Sequence, residues 1–88
     1  MSKYRNKHGV VDAFLLGVDK EPEWFAENVI STRTISDGKT RAYWIKTPLG
    51  FMSAFSGTTY IIRDVDGGVY LYETDIFEKT YERVTDDV

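Results

Sequence analysis

Two segments rich in β-branched and aromatic residues decide the fold: TTYIIR at residues 58–63 and VYLY at residues 69–72. Residues of these types pack well on a pleated, half-buried surface and therefore favour strands. The residues between the two segments, 64–68, read DVDGG. Asp and Gly are the residue types that tight turns require. The two segments therefore predict a β-hairpin near the end of the chain.

The same alternation of strand and turn signals extends through most of the sequence. Strand character returns after the hairpin at residues 80–84, and before the hairpin it is present at residues 9–17, 30–35, 40–46 and 51–55. The Asp37-Gly38 pair and the Thr-Pro-Leu-Gly stretch at residues 47–50 are turn signals between these segments. Turn signals that recur about every twelve residues are typical of a meander of antiparallel hairpins.

Two segments favour helix. Pro22 suits the first turn of a helix over residues 22–29. An apolar-leaning stripe of this helix, formed by Trp24, Phe25, Asn28 and Val29, would cover an apolar sheet. Asp75, with Glu78 three residues later, predicts a short helical turn over residues 75–79. We therefore expect an α+β fold: a small, mostly antiparallel, curved sheet of six to seven short strands with one covering helix. Trp24 and Trp44 are both expected in the core.

Composition bounds the possible functions. The chain has 88 residues, which predicts a single domain over residues 1–88, with a flexible basic start at residues 1–8 and a frayed tail at residues 85–88. The absence of cysteine excludes disulfides and thiolate catalysis. The net charge of −3 disfavours nucleic-acid binding. No apolar run approaches the length of about 18 residues that a membrane span needs, so no membrane partner is expected.

Several motifs resemble a family of small uncharacterised proteins of tailed bacteriophages and prophages. Members open with a basic Tyr-Arg-Lys stretch and a strand that ends in Glu-Ala-Phe, and they later carry Pro-Glu-Trp, Gly-Asp-Tyr-Ile-Ile and Asp-Ile-Phe-Glu-Lys-Thr-Tyr-Glu. The corresponding segments here are residues 3–7, 12–14, 22–24, 57–62 and 75–82, and the last is the most specific.

The resemblance covers residues 3–84, with departures at residues 8–9, 15–16, 58–59 and 71–74. It implies a phage origin and a location in the host bacterial cytoplasm. It implies no reaction.

The residues themselves also predict no enzymatic chemistry. His8 is the only histidine and stands beside a glycine in the basic start, where a solvated side chain is the simplest interpretation. The Asp64-Val65-Asp66-Gly67 stretch lacks the further carboxylates of a calcium loop and suits a hairpin turn. We therefore predict no catalytic, cofactor-binding or metal-ligating residues, and no small-molecule substrate.

The aromatic residues of the last hairpin suggest a contact surface. If the turn has two or four residues, Arg63 shares a face with Tyr70 and Tyr72, while the opposite face, with Tyr60 and Leu71, belongs to the core. A Tyr-rich face with one guanidinium suits protein contacts. A three-residue turn would reverse the faces and remove the patch. Alternatively, the two tyrosines pack beneath the helix or pair across strands.

The two ends of the chain carry opposite charge. The last sixteen residues are acidic and include Glu78 and Glu82, whereas the start carries Lys3, Arg5 and Lys7. The acidic end either imitates a phosphate backbone or pairs with the basic start.

We predict a non-enzymatic phage protein that binds a phage or host protein, or a second copy of itself. Arg63, Tyr70, Tyr72, Glu78 and Glu82 are the candidate contact residues. The alternative function is inhibition of a host defence or nucleic-acid-processing protein through the acidic surface.

Overall fold

The computed structural model describes residues 2–6 and 9–84. Within them, two short helical segments accompany the strands: a 3₁₀ helix at Glu23–Asn28 and an α-helix, α1, at Thr74–Thr80. The strands are β1 (Ser2–Asn6), β2 (Gly9–Leu15), β3 (Val29–Thr34), β4 (Arg41–Thr47), β5 (Gly50–Phe55), β6 (Thr59–Arg63), β7 (Val69–Glu73) and β8 (Glu82–Arg83).

All the strand pairs are antiparallel, as the meander of turn signals predicts. They form two sheets rather than the single sheet expected: one of five strands in the order β7-β6-β2-β1-β8, and one of three in the order β3-β4-β5. The connection after β5 joins them, because Ser56 donates its N–H to Arg41 and Gly57 donates its N–H to Leu16. The prediction of α+β structure is confirmed, and the prediction of one curved sheet is wrong.

The basic start contains a strand that the sequence did not predict. Residues 2–6 form β1, in which Tyr4 pairs with Val11 of β2, and the Tyr4 side chain is only 8% exposed. One buried ring among charged neighbours gives too weak an alternation to be recognised as a strand. Residues 2–6 are thus a strand of the five-stranded sheet, in a segment for which the sequence predicts a flexible start. The remainder of that segment and the tail at residues 85–88 lie outside the described residues.

The first predicted helix is a 3₁₀ helix and is shorter than expected. Pro22 has extended backbone angles and precedes it, and Phe25 is its buried residue. Val29 already pairs with Ile45 in the three-stranded sheet. Only six residues lie between Pro22 and β3, and helical segments that are this short often have 3₁₀ geometry. The second prediction, the helical turn at residues 75–79, is confirmed by α1. The capping role that the sequence predicts for Asp75 is wrong, because α1 begins at Thr74 and Asp75 lies inside it.

Core one fills the space between the two sheets and the 3₁₀ helix. Phe14 and Ile61 of the five-stranded sheet, Ile45 of the three-stranded sheet and Phe25 of the helix are all fully buried in it. The ring of Phe25 meets that of Phe14 edge to face, with 5.1 Å between centroids. This arrangement makes the packing of each sheet depend on the other.

Core two lies on the opposite face of the five-stranded sheet, beneath α1. It consists of Tyr4, Ala13, Ile62 and Phe77. Phe77 of α1 stacks on Tyr60 at 4.0 Å between ring centroids. The five-stranded sheet therefore buries apolar residues on both faces, which accounts for the nearly continuous apolar runs of β2 and β6.

The expectation that both tryptophans are core residues is only partly met. Trp24 is half-buried and packs against core one. Trp44 is 42% exposed. Its neighbours Tyr43 and Ile45 face core one. Because side chains alternate along a strand, Trp44 lies on the outer side of the sheet.

Candidate functional site

The register of the last hairpin separates the predicted contact residues. Arg63 pairs with Val69, and Ile62 pairs with Tyr70, so five residues connect β6 and β7. Since directly opposed residues share a face of a sheet, Tyr70 and Tyr72 lie on the face of Ile62 and Arg63 lies on the other. The predicted patch of Arg63 with the two tyrosines is therefore wrong. Arg63 instead places its guanidinium carbon 5.7 Å from the Trp24 ring centroid.

Tyr70 and Tyr72 are half-buried rather than displayed on a flat surface. Tyr72 pairs with Tyr60 across the strands and packs against core two. Its ring meets that of Tyr81 edge to face, with 5.8 Å between centroids. The alternative interpretation of these tyrosines as cross-strand partners thus describes Tyr72. Their role in binding stays a prediction.

The described part of the acidic end is tied to the basic start. Arg5 Nη2 lies 2.9 Å from Glu82 Oε1, and β8, which carries Glu82, pairs with β1. Glu78 is exposed on α1. Both side chains of the Arg5–Glu82 pair are more than half exposed, so the pair contributes little to stability. Pairing of the two ends is confirmed for these residues. Asp86 and Asp87 lie outside the described residues.

The outer side of the three-stranded sheet carries a set of exposed rings that the sequence did not reveal. Trp44 is 42% exposed, Phe51 56% and Phe55 43%. The register places all three on the side opposite Tyr43 and Ala54, since Trp44 pairs with Ser53, and Ala42 pairs with Phe55. We call this surface, formed by Trp44, Phe51, Phe55, Arg33 and Lys46, the aromatic face.

Small residues between the rings make the aromatic face uneven. The rings of Trp44 and Phe51 stack at 6.0 Å between centroids and 20° between planes. Ala42 separates Arg33 from Phe55 across the strands. The result is a recess of about 320 Å³ that is lined by Trp44, Phe55 and Arg33 and has serine hydroxyls at its sides. Such a recess admits an inserted side chain.

The charge of this part of the chain differs from that of the rest. Residues 29–55 carry four basic residues and one acidic residue, whereas the remainder carries seven basic and thirteen acidic residues. The acidic residue is Asp37, which accepts hydrogen bonds from the Thr40 hydroxyl and the Thr40 and Lys39 N–H groups. These bonds, chiefly that of the Thr40 hydroxyl, lower the pKa of Asp37. The aromatic face is therefore locally basic on an acidic protein.

The sequence contained only a weak signal for this face. Phe51 and Phe55 alternate with Met52 and Ala54, so both sides of β5 read as apolar. The basic character of residues 29–55 was visible in the sequence and is the signal that could have drawn attention to it. The net charge of the whole chain does not show this local excess of basic residues.

Among residues 2–6 and 9–84, no three histidine, aspartate or glutamate side chains come together to hold a metal ion. No helix in this part of the chain is long and apolar enough to cross a membrane. His8 lies outside the described residues.

Comparisons with protein-family models, with curated proteins and with solved structures found no match. The fold and the site together define the class: a small α+β protein of two antiparallel sheets that displays an aromatic, basic sheet face.

Proposed function

We propose that this is a non-enzymatic bacteriophage protein that acts in the host bacterial cytoplasm by binding a protein partner through the aromatic face. The phage origin and the location rest on the sequence resemblance. The observation that carries the binding function is the group of three exposed rings beside two cations on one sheet surface.

Exposure of aromatic rings to water is unfavourable, and this free-energy cost is recovered when a partner covers the rings. Tryptophan and arginine are the residue types that contribute most to protein interfaces. Trp44 and Arg33 border the same recess, so one inserted apolar side chain would contact both. A partner surface that presents an apolar side chain with carboxylates beside it fits the rings and the positive charge.

A protein partner fits better than a nucleic acid. Stacked bases would suit the rings, but a nucleic-acid backbone also needs a track of cations. The face itself offers Arg33 and Lys46, while the chain as a whole carries a net charge of −3. Two phosphate contacts give little affinity at physiological salt.

Site-specific crosslinking tests the proposal. A photoreactive phenylalanine analogue replaces Phe55 on the aromatic face, and in the control it replaces Ile76, which is 52% exposed on α1. Both proteins are irradiated in infected host cells. A partner captured from position 55 and not from position 76 is purified, and its affinity for the unmodified protein is measured by calorimetry.

Matched variants then connect the affinity to the face. We expect Trp44→Ala and Arg33→Glu each to weaken binding at least tenfold, because hot-spot truncations typically cost about 2 kcal/mol. Ile76→Ala and Lys79→Glu make equivalent changes on α1 and should leave the affinity unchanged. Equal affinity in all four variants contradicts the proposal. Binding of a 20-nucleotide oligothymidylate that Trp44→Ala abolishes would replace the protein partner with single-stranded nucleic acid.

A further inference from the structure

A second surface, on the opposite side of the molecule from the aromatic face, has different chemistry. A cleft of about 390 Å³ opens on the face of the five-stranded sheet that carries core two. Tyr70, Tyr72, Tyr81 and Asp64 line it, and Ile62 contributes to its apolar lining. We call this the tyrosine cleft. It exists because α1 has seven residues and covers only part of the sheet.

The tyrosine rings are held in a fixed arrangement. The planes of Tyr72 and Tyr81 meet at 84°, and Phe77 of core two stacks on Tyr81 at 4.9 Å between centroids. Burial, together with the neighbouring Tyr72 hydroxyl and then the Asp64 carboxylate, raises the pKa of Tyr81. Tyr81 is therefore neutral at physiological pH, and its ring is held between those of Tyr72 and Phe77.

The charge of the cleft favours one kind of occupant. Among the residues that the structure describes, Asp64 is the one ionisable residue of the lining apart from the tyrosines, and none of the described lysines or arginines lines the cleft. The Asp64 side chain is half-buried, and its Oδ1 accepts the N–H of Val65 at 2.7 Å. An aromatic ring attracts a cation through its quadrupole, and a partly desolvated carboxylate adds to that attraction.

We propose that the tyrosine cleft binds an organic cation, namely the guanidinium or alkylammonium group of a partner peptide. Tyr70, Tyr72 and Tyr81 contact the cation and its alkyl chain, and Asp64 balances its charge. This site is independent of the aromatic face, which is basic and would repel the same group. The protein thus has two binding surfaces of opposite preference on its two outer sides.

A titration monitored by amide NMR spectra tests this with a pair of nearly isosteric ligands. Nα-acetyl-arginine methylamide carries the cation, and Nα-acetyl-citrulline methylamide replaces the guanidinium with a neutral urea. We expect the arginine compound to shift the amide signals of Asp64, Tyr72 and Tyr81 with a dissociation constant on the order of millimolar. The citrulline compound should bind at least tenfold more weakly.

A matched pair of variants assigns the charge. Asp64→Asn keeps the hydrogen-bond acceptor and removes the charge, whereas Asp66→Asn makes the same change in the same turn at a residue that does not line the cleft. We expect Asp64→Asn to reduce the affinity for the arginine compound about tenfold and Asp66→Asn to leave it unchanged. Tyr70→Leu provides a second cleft variant should Asp64→Asn fail to fold.

Four results would overturn the proposal. The first three are equal binding of the arginine and citrulline compounds, unchanged affinity in both Asp64→Asn and Tyr70→Leu, and arginine-induced shifts confined to residues outside the cleft. Absence of any shift at 50 mM ligand, which is more than about ten times the expected dissociation constant, would also overturn it.

Discussion

At the scale of single residues, two glycines in the left-handed backbone region have different surroundings. Gly17 has a φ of 76°, and a Cβ at this position would lie 2.4 Å from Ser56 Cβ. Gly38 has a φ of 72°, and nothing lies within 4 Å of the corresponding point. Gly17 therefore allows the connection between the sheets to approach β2, whereas Gly38 serves only the turn between β3 and β4.

Substitution of alanine at each glycine separates the two effects. Gly38→Ala should lower the free energy of unfolding by about 1 kcal/mol, the cost of left-handed backbone for a residue with a Cβ. Gly17→Ala should lower it by about 3 kcal/mol, because the clash with Ser56 forces the connection to move. Denaturant unfolding curves measure both. Equal losses would show that the approach of Ser56 to Gly17 is not required for the fold.

Tyr60 links core two to the behaviour of the protein at alkaline pH. Burial, with a hydrogen bond to Tyr4, raises the pKa of Tyr60 from 10.0 to about 12. The folded state then retains a proton that the unfolded chain has lost, so stability is fully present below pH 10 and falls as the pH rises towards 12. Unfolding free energies at pH 9–12 should show this decline. A decline of the same slope in Tyr60→Phe would contradict the assignment.

At the scale of elements, α1 depends on one buried ring. Phe77 contacts Tyr60, Tyr4 and Tyr81 at centroid distances of 4.0, 4.8 and 4.9 Å. A helix of seven residues is not stable by its own backbone hydrogen bonds. Tertiary packing of Phe77 on the sheet must therefore supply most of its stability.

Removal of that ring should release the helix. Phe77→Ala should lower the free energy of unfolding by about 3–5 kcal/mol, as large-to-small core substitutions do. Ile76→Ala, at the adjacent exposed position, should cost less than about 1 kcal/mol. Thermal unfolding followed by circular dichroism compares them. A small loss in Phe77→Ala would mean that the sheet does not need α1 as a cover.

The element predictions succeeded where a local signal sufficed. The hairpin of β6 and β7 follows from propensity and turn residues in the sequence itself. The helical turn of α1 was also located correctly, although Asp75, the predicted cap, lies inside the helix. The 3₁₀ helix differed from the α-helix expected because Val29 pairs with Ile45, sixteen residues away along the chain. No pattern local to residues 22–29 contains that information.

At the scale of the whole molecule, core one joins the two sheets into one unit. Ile45 of β4 is fully buried against Phe14 and Ile61 of the other sheet in the same cluster. Residues 56 and 57 bond to both sheets through Arg41 and Leu16. Neither sheet alone can bury its inner face, so we expect them to unfold together.

A substitution in one sheet should therefore destabilise the other. Ile45→Ala should lower the thermal midpoint of amide signals from β4 and from β6 by the same amount, with a loss of about 2–5 kcal/mol. Trp44→Ala, on the outer side of the same strand, should have a smaller effect. If β4 melts first in Ile45→Ala while β6 keeps its midpoint, the two sheets are separate cooperative units.

The sequence by itself determined the local features: most of the strand segments, the turns, the helical segment near the C-terminus and the α+β class. These depend on propensities and turn residues within a few positions of each other. It also determined that residues 29–55 are basic and the remainder is acidic, although the net charge of −3 does not show this difference.

Only the tertiary structure decided which side of each strand faces water. A register shift of one residue exchanges the two faces of a strand, and the register follows from pairing and packing between distant segments. The five-residue connection moved Tyr70 and Tyr72 away from Arg63 and into the tyrosine cleft. The pairing of β4 with β5 put Trp44 beside Phe51 on the aromatic face. Both candidate sites arise from these pairings, because strand alternation assigns residues to faces and long-range contacts choose which face is buried.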